Sequence, residues 1–561
     1  MAEICPNATG GFCDSMKNAP YPYYEIAEVP TLRDLIAYGR DQGGNNTIFY
    51  GGKRNTQPIS FKSAYHLVEA LGTFLLNQEL RDAKIALLGE NSTEWCLSYF
   101  AIVSTGNVVV PLDKELPRED LAELIRHCGC QAIIFSKKYT DVADYFHSLD
   151  DLSHMLYFTI NEFDAYVTEG EYLMQDGDRS FAETTVTPDT LACIVYTSGT
   201  SGKSKGVMLS HGNLASDVVA TCQCVTARNT QIFLPMNHTF SWASAMFAAF
   251  LYNVDAHISG SMKRIVKDLN QNKPQNISAV PLMVEMLYNG IWVNAKKQGM
   301  DKKLRHTITL SQALMICGID LRKRLFRRIH EHFGGKLETI ICGGAALDPK
   351  LQKGLYDFGI TVINGYGITE CSPVVAVNRN NDFRFGSVGK PLPCNRVKIA
   401  DPDEEGVGEI YVAGTNVMLG YYKDPEATAE AFDGEWFKTG DYGYIDKDGF
   451  LFITGRKKNL IILANGKNVS PEELEEKLRR LEYVKEVAVY EEDKTVTGEF
   501  YLDTMEYPDA PERLQEDVRL FNSSMPSCKN IQKVKLRSAP FEKTTTMKIK
   551  RYLLAQPAGK R

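Results

Sequence analysis

Short apolar runs alternate with helical stretches through the first part of the chain, and this alternation constrains the fold more than any other feature. Lys84 to Gly89 reads as a strand, residues 93 to 105 as a helix, Val108 to Pro111 as a strand, 117 to 127 as a helix, and Ala132 to Phe135 as a strand. Strands that alternate with helices predict a parallel sheet with helical cover. Ahead of them, residues 30 to 40 and 60 to 78 carry helical spacing, as in Ala64, Leu67, Ala70, Leu71 and Leu75, and the Gly-Asn stretch at 43 to 46 separates the two. Residues 160 to 188 are acidic and show no clear period, which predicts a connection.

That connection leads to Tyr196-Thr-Ser-Gly-Thr-Ser-Gly-Lys-Ser-Lys-Gly206, set between the apolar runs Leu191 to Val195 and Val207 to Leu209. A strand, a loop and a strand are expected. The loop offers backbone amides behind small side chains, several hydroxyls and two ammonium groups, a composition suited to a polyphosphate. A Walker A motif ending at Gly202-Lys203-Ser204 would need glycine at 197, where threonine stands, and no GxGxxG opens a helix here. A plain surface hairpin is the competing reading, since Gly and Ser are ordinary turn residues.

Beyond the loop, Ser210 and Asn213 announce a helix, and the strand Ile232 to Leu234 runs into Pro235-Met-Asn-His-Thr-Phe240. Further strand and helix signals run from Ile277 to Leu287 and from Leu337 through Cys342 to Gly343-Gly-Ala-Ala-Leu347. From about residue 387 the pattern turns all-β, with runs at Gly408 to Val412 and Tyr442 to Ile453, the latter folded at Asp446-Lys-Asp-Gly449. Tyr444 stands where a calcium loop needs a carboxylate or amide, so that cluster is a hairpin turn. Ser470, Pro471 and Glu473 predict a capping box at a helix start, with Val469 and Leu474 as a staple and Leu474, Leu478 and Leu481 as the buried face.

At 561 residues the chain exceeds one core and implies a large body with at least one further domain. A net charge of −7 recruits no nucleic acid, yet the last 33 residues hold ten Lys or Arg against the single acid Glu542. Thirteen cysteines without a CxxC pair suggest reduced thiols in a cytoplasmic protein rather than a zinc site or a disulfide frame. The first twenty residues lack a basic start and apolar stretch, so no secretory leader is expected, and Phe240 to Tyr252 is too short for a membrane span.

The loop at 196 to 206 resembles the phosphate-binding signature of the adenylate-forming (AMP-binding) superfamily, and further motifs follow in that family's order. The nearest likeness is to bacterial long-chain fatty acyl-CoA synthetases, through Leu234 to Phe240 and Phe541 to Arg551. The resemblance implies an α/β fold: a large N-terminal domain, residues 1–455, of doubly wound α/β subdomains plus a small β-barrel-like subdomain. A small, mobile α+β domain, residues 456–561, would follow and carry the catalytic lysine.

It also implies roles. Thr197, Ser198, Gly199, Thr200, Ser201, Gly202 and Lys205 would cradle the phosphates of ATP. In Asn364-Gly365-Tyr366-Gly367-Ile368-Thr369-Glu370 the Tyr366 ring would stack on adenine, Thr369 would meet the α-phosphate, and Glu370, with Thr197, would hold Mg²⁺. Gly343, Gly344 and Ala345 match a wall beside the adenine, or simply a strand-ending turn. Asp441 of Thr439-Gly440-Asp441 would take the ribose hydroxyls, as would Arg456. Lys458 falls at the family's hinge, Gly466 at its thiol tunnel, and Lys548 at its adenylation lysine. Met547 and Ser204 depart from the commonest glycine and proline there, without removing a charge. His238 matches a segment near the acyl and pantetheine pockets, although a lone histidine is often structural.

Taken together, the resemblance predicts that a carboxylic acid, ATP and CoA are the substrates, with Lys548, Thr197, Lys205, Glu370 and His238 in the catalytic set. The apolar segment Phe240, Trp242, Met246, Phe247 and Phe250 would line an acyl tunnel or form a core helix. An acyl carrier protein in place of CoA, an aryl or other acid in place of a fatty one, and a catalytically silent scaffold are the alternatives.

Overall fold

The computed structural model describes residues 22–42, 47–51, 55–197, 204–259, 264–462, 468–492, 495–526, 529–543 and 549–554. The chain divides into two compact units, one of residues 1–397 and 412–437, the other of 398–411 and 438–561.

Two large sheets build the first unit. One has seven strands in the order Gly420–Tyr421, Lys205–Ser210, Leu191–Thr197, Val108–Pro111, Lys84–Leu88, Ala132–Phe135, Leu156–Thr159. Its last five members run parallel, and Lys205–Ser210 pairs antiparallel with both of its neighbours. The strands predicted at 84, 108 and 132 are all present, because each, apart from Lys84 at the start of the first, is an apolar run that needs cover on both faces. The second sheet has nine strands, in the order Lys390–Pro391, Val374–Val377, Thr361–Gly367, Thr339–Cys342, Asn276–Ala279, Thr230–Ile232, Ala256–Ile258, Thr47–Gly51, Asn55–Ser60. Its central members are parallel.

Several expectations are corrected. The strand expected at Ile232 to Leu234 lies at Thr230–Ile232, and two strands, Thr47–Gly51 and Asn55–Ser60, precede the helix at 61. Residues 160 to 188 are no mere connection. They hold the helix Phe163–Gln175, whose Phe163, Val167 and Gly170 are buried at helical spacing. Gly170 permits that helix to lie close against Phe61–Asn77: a Cβ there would sit 1.9 Å from the Ala70 carbonyl oxygen. Phe74 and Tyr166 stack at 4.8 Å beside the crossing.

The apolar segment after His238 is core. Trp242, Met246, Phe247 and Phe250 are buried in an aromatic cluster with Tyr99, Phe100 and Phe61, with centroid distances of 5.1 Å for Tyr99–Trp242 and 4.8 Å for Phe100–Phe250. Phe240 alone of that set is only half-buried.

The region from 387 is mostly β, as expected, but the helix Pro425–Ala431 interrupts it, capped by Asp424. Its five-stranded sheet runs Asn395–Ala400, Gly408–Gly414, Trp436–Ile445, Phe432–Asp433, with Leu451–Arg456 also on Trp436–Ile445. Asp446 closes the predicted hairpin turn by accepting from the amides of Asp448 and Phe450. The second unit adds a three-stranded sheet, Val484–Glu492, Thr495–Leu502, Lys533–Arg537, covered by the helices Pro471–Leu478 and Ala510–Ser523. Ser470 does precede Pro471, but the capping box is not made. Its hydroxyl donates to the Thr454 carbonyl at 2.6 Å, and Glu473 pairs instead with Lys477 and Lys529. Val469 and Leu474 are both buried, as the staple requires.

Candidate active site

Parallel strands of an open α/β sheet present their carboxyl ends to one edge, where ligands bind. Here Ala279, Cys342 and Asn364 stand in register at that edge, and the chain beyond each strand holds predicted site residues. After Thr230–Ile232 comes the segment with His238. Asn91 fixes it by donating to the Leu234 carbonyl at 2.7 Å and accepting from the Met236 amide at 2.9 Å. His238 is half-buried and its carbonyl accepts from the Ser241 amide at 3.0 Å, starting a short helix. After Thr339–Cys342 come Gly343, whose amide donates to the Ala279 carbonyl at 3.2 Å, and the exposed Gly344 and Ala345. A side chain on Gly343 would begin 3.2 Å from the Phe240 ring.

After Thr361–Gly367, the strand that pairs with Thr339–Cys342, comes the turn with Thr369 and Glu370. Asn364 is spent on structure: its amide donates to the Ser387 carbonyl at 3.0 Å, and its own carbonyl accepts from Asn378. Gly365, Tyr366, Thr369 and Glu370 remain half-exposed and Gly367 exposed. The turn is braced from behind by residues that sequence reasoning missed. The buried Asp217 accepts through Oδ1 from the Val374 amide at 2.9 Å and from the Asn416 side chain at 3.2 Å. Asn416 also donates to the Val374 carbonyl, and its own carbonyl accepts from the Ser372 hydroxyl. No cation reaches Asp217 among these partners, so burial pushes its pKa well above the usual carboxyl range.

Glu370 is held in front as well. The Met418 amide donates to its carbonyl at 2.8 Å, and the Tyr421 hydroxyl donates to Oε1 at 3.0 Å. Burial, and next the Glu370 charge, raise the Tyr421 pKa, which keeps that hydroxyl a donor.

Lys205 belongs to the same place, with Nζ 4.7 Å from the centroid of the Tyr421 ring. It opens the strand Lys205–Ser210, and Thr197 ends the antiparallel partner Leu191–Thr197; the two residues pair across the hairpin. The predicted loop is therefore closed at its base by two of its own predicted ligands. Ser198, Gly199, Thr200, Ser201 and Gly202 lie outside the described residues. Ser210 and Asn213 form the expected cap, here a reciprocal box, of the helix His211–Cys224 that carries Asp217.

In the second unit, Asp441 and Arg456 face each other on adjacent strands, with Arg456 Nε 2.8 Å from Asp441 Oδ1. Asp441 is buried, and its amide donates to the Thr439 hydroxyl at 3.0 Å. Lys457 pairs with Glu409 at 2.6 Å, while burial and then the neighbouring Arg456 lower the Lys458 pKa. Gly466 and Lys548 lie outside the described residues. The chain on either side of Lys548 is anchored: Lys543 bridges Ile549, and Arg551 binds Glu475 through two contacts of 2.6 Å.

Chemically, the first unit offers one half-exposed carboxylate, one ammonium and a hydroxyl-bearing strand end beside a glycine-rich wall. A hard oxygen ligand such as Glu370 suits Mg²⁺, which keeps waters and phosphate oxygens in most of its shell. Among the described residues no group of three His, Cys, Asp or Glu is placed to hold a metal.

These features define a nucleotide-dependent α/β enzyme, and the comparisons with known proteins agree. A family model described as AMP-binding enzyme matches residues 39–422, and a second, AMP-binding enzyme C-terminal domain, matches 458–556. The chain belongs to the AMP-binding enzyme family. It is 28% identical over 537 residues to the long-chain-fatty-acid–CoA ligase FadD15 of Mycobacterium bovis, covering 87% of this chain and 88% of that one. It is 29% identical to the chloroplastic long-chain-fatty-acid–[acyl-carrier-protein] ligase AEE15 of Arabidopsis thaliana, covering 74% of this chain and 68% of that one. Its fold matches the crystal structure of the anthranilate CoA ligase AuaEII in complex with anthranoyl-AMP with a TM-score of 0.76, at 19% identity, covering 95% and 97% of the two chains.

Proposed function

We propose that this protein activates a medium- or long-chain fatty acid with ATP, releases pyrophosphate, and transfers the acyl group from acyl-AMP to CoA. The observation that carries the reading is the arrangement of Lys205, Tyr421 and Glu370 at the sheet edge beside Thr197. Similarity to a long-chain-fatty-acid–CoA ligase over most of both chains supports the acid and the acceptor.

A carboxylate does not react with a thiol until its oxygen becomes part of a good leaving group. A carboxylate oxygen attacks the α-phosphorus of ATP, the bond to the bridging oxygen breaks, and pyrophosphate departs. Two anions meet in this step, so it requires screening and in-line positioning. Mg²⁺, held by Glu370 and Thr197, would supply part of that screening. Lys205, with Ser198 to Gly202, cradles the phosphates; Thr369 meets the α-phosphate; Tyr366 stacks on adenine against Gly343 to Ala345; Asp441 and Arg456 hold the ribose. Lys548 stabilises charge on the α-phosphate, a role whose loss costs about 10² to 10³ in rate. In the second step the thiol attacks the acyl carbon, AMP leaves, and Gly466 lines the thiol path while Lys458 serves as hinge between residues 1–455 and 456–561. His238 stands near the acyl end.

Among the described residues no helix is long and apolar enough to cross a membrane. Similarity to a ligase for acyl carrier protein favours one second reading, in which that protein replaces CoA. Pyrophosphate release from Mg·ATP over acids of increasing chain length, each with and without CoA, separates them. Turnover that needs CoA and peaks with long acids is expected. A single turnover indifferent to CoA would favour the carrier protein, and a peak at aryl acids would overturn the fatty substrate.

A further inference from the structure

Tyr421 has no counterpart in the motifs that drew attention to this site, yet it touches both of the charged groups there. Its hydroxyl donates to Glu370 Oε1 at 3.0 Å, and the centroid of its ring lies 4.7 Å from Lys205 Nζ. We propose that Tyr421 is a positioning residue that ties the phosphate-loop lysine to the metal-site carboxylate and sets both before Mg·ATP arrives. The proposal rests on the functional reading above.

The physical logic lies in what a phenol leaves untouched. A lysine and a glutamate brought together directly would neutralise each other and occupy the donors and acceptors that a nucleotide and its metal need. A tyrosine between them avoids that. Its hydroxyl uses one lone pair of one carboxylate oxygen, leaving the others for a metal. Its ring attracts the ammonium through the face of the π-system and occupies none of the three N–H donors in a hydrogen bond. Both charges are located, and neither is consumed.

The surrounding chain fixes the tyrosine. Gly420–Tyr421 pairs antiparallel with the strand that leaves the phosphate loop, Gly420 against Met208 and Tyr421 against Val207. The Tyr421 amide donates to the Thr428 hydroxyl at 2.9 Å, and Thr428 belongs to the helix capped by Asp424. Gly420 has φ +140°, and a Cβ on it would lie 2.8 Å from the Thr428 methyl, so only glycine lets strand and helix approach this closely. The Tyr422 amide donates to the Gly206 carbonyl at 2.7 Å and continues the pairing. Tyr421 is 9% exposed, so its ring has little room to turn away. Gly420-Tyr421-Tyr422-Lys-Asp424-Pro425-Glu-Ala-Thr428 is thus one built unit whose product is the placement of a single ring.

Acid-dependent ATP–pyrophosphate exchange by the full chain tests this, with Mg·ATP varied for wild type, Tyr421→Phe and Tyr421→Leu. Loss of a hydrogen bond to a charged group in Tyr421→Phe should raise KM for Mg·ATP about tenfold, with kcat changed less than about threefold. Tyr421→Leu also loses the ring and should raise KM about fivefold more. Calorimetric binding of Mg·ATP is then compared for Glu370→Gln with and without Tyr421→Phe. If Tyr421 acts through Glu370, most of the tenfold effect disappears in that background. An unchanged KM in Tyr421→Phe, or an equal loss with and without the Glu370 carboxylate, overturns the proposal. Wild-type protein that exchanges with no acid overturns the functional reading and this proposal together; wild-type exchange with an unshifted Tyr421→Phe overturns this one alone.

Discussion

Asp217 and Glu475 are both buried carboxyls, one in each compact unit, and they are held by different electrostatics. Asp217 meets a backbone amide and a side-chain amide, both neutral, and its Oδ2 has no hydrogen-bond partner among the described residues. Glu475 meets Arg551 through two contacts of 2.6 Å, Arg479 at 3.6 Å, and the Val489 amide at 2.7 Å. Burial raises the pKa of both, but at Glu475 the cations Arg551 and Arg479 oppose it, whereas only neutral amides oppose it at Asp217. Each braces a segment next to a predicted nucleotide ligand: Asp217 the turn behind Glu370, Glu475 the stretch just after Lys548. A buried carboxyl can thus position a site as a neutral acid or as half of an ion pair, and the two respond differently to mutation and to pH.

Removing the cation should have the largest effect. Arg551→Ala leaves Glu475 buried without its main partner and should cost about 3–5 kcal/mol. The denaturation midpoint of the second unit should fall while that of the first stays near its wild-type value. Next comes Asp217→Leu, which strands the Val374 amide and the Asn416 side chain at about 1–3 kcal/mol for each group left unsatisfied. Since both lie behind the Glu370 turn, KM for Mg·ATP should rise as well, measured by exchange kinetics on protein that remains folded.

The smallest effect is the most discriminating. Asp217→Asn is the isostere of the neutral acid and should fold with near wild-type stability at low pH. The sign follows from the raised pKa. The stability that the wild-type carboxyl contributes is complete below its unfolded pKa, near 3.9, and falls as pH rises toward the folded value. Asparagine has no proton to lose, so its melting temperature relative to wild type should climb from pH 5 to pH 8. A flat difference would mean that Asp217 is ionised in the folded protein, contrary to the contrast with Glu475.

Much of this was legible in the residues. The apolar runs at 84, 108 and 132 could only be covered strands, and Ser210 with Asn213 marked a helix start that the structure makes as a reciprocal cap. The helix Phe163–Gln175 was hidden because only Phe163, Val167 and Gly170 are buried and one of those is glycine. Ser470 misled because a hydroxyl at a helix start has other acceptors in reach, here the Thr454 carbonyl. Within the site, charged and glycine-rich motifs announced themselves, whereas Asp217, Asn91 and Tyr421 did not. Their roles arise from pairings between distant parts of the chain, Asp217 with Val374 and Tyr421 with Glu370, which no local pattern encodes. The Asp-Pro helix start after Gly420-Tyr421-Tyr422 was the one available signal.

The central claim is that one chain performs adenylation and thioester formation with different residues. Lys548→Ala divides them, because in the reaction proposed above the lysine would serve the α-phosphate and have no task once acyl-AMP exists. Both half-reactions should be measured on the same preparation: exchange of pyrophosphate into ATP with a fatty acid, and acyl-CoA formation from supplied acyl-AMP. Loss of exchange by about 10²-fold or more with thioester formation retained is the expected result. Equal loss of both, or exchange at the wild-type rate, would contradict it.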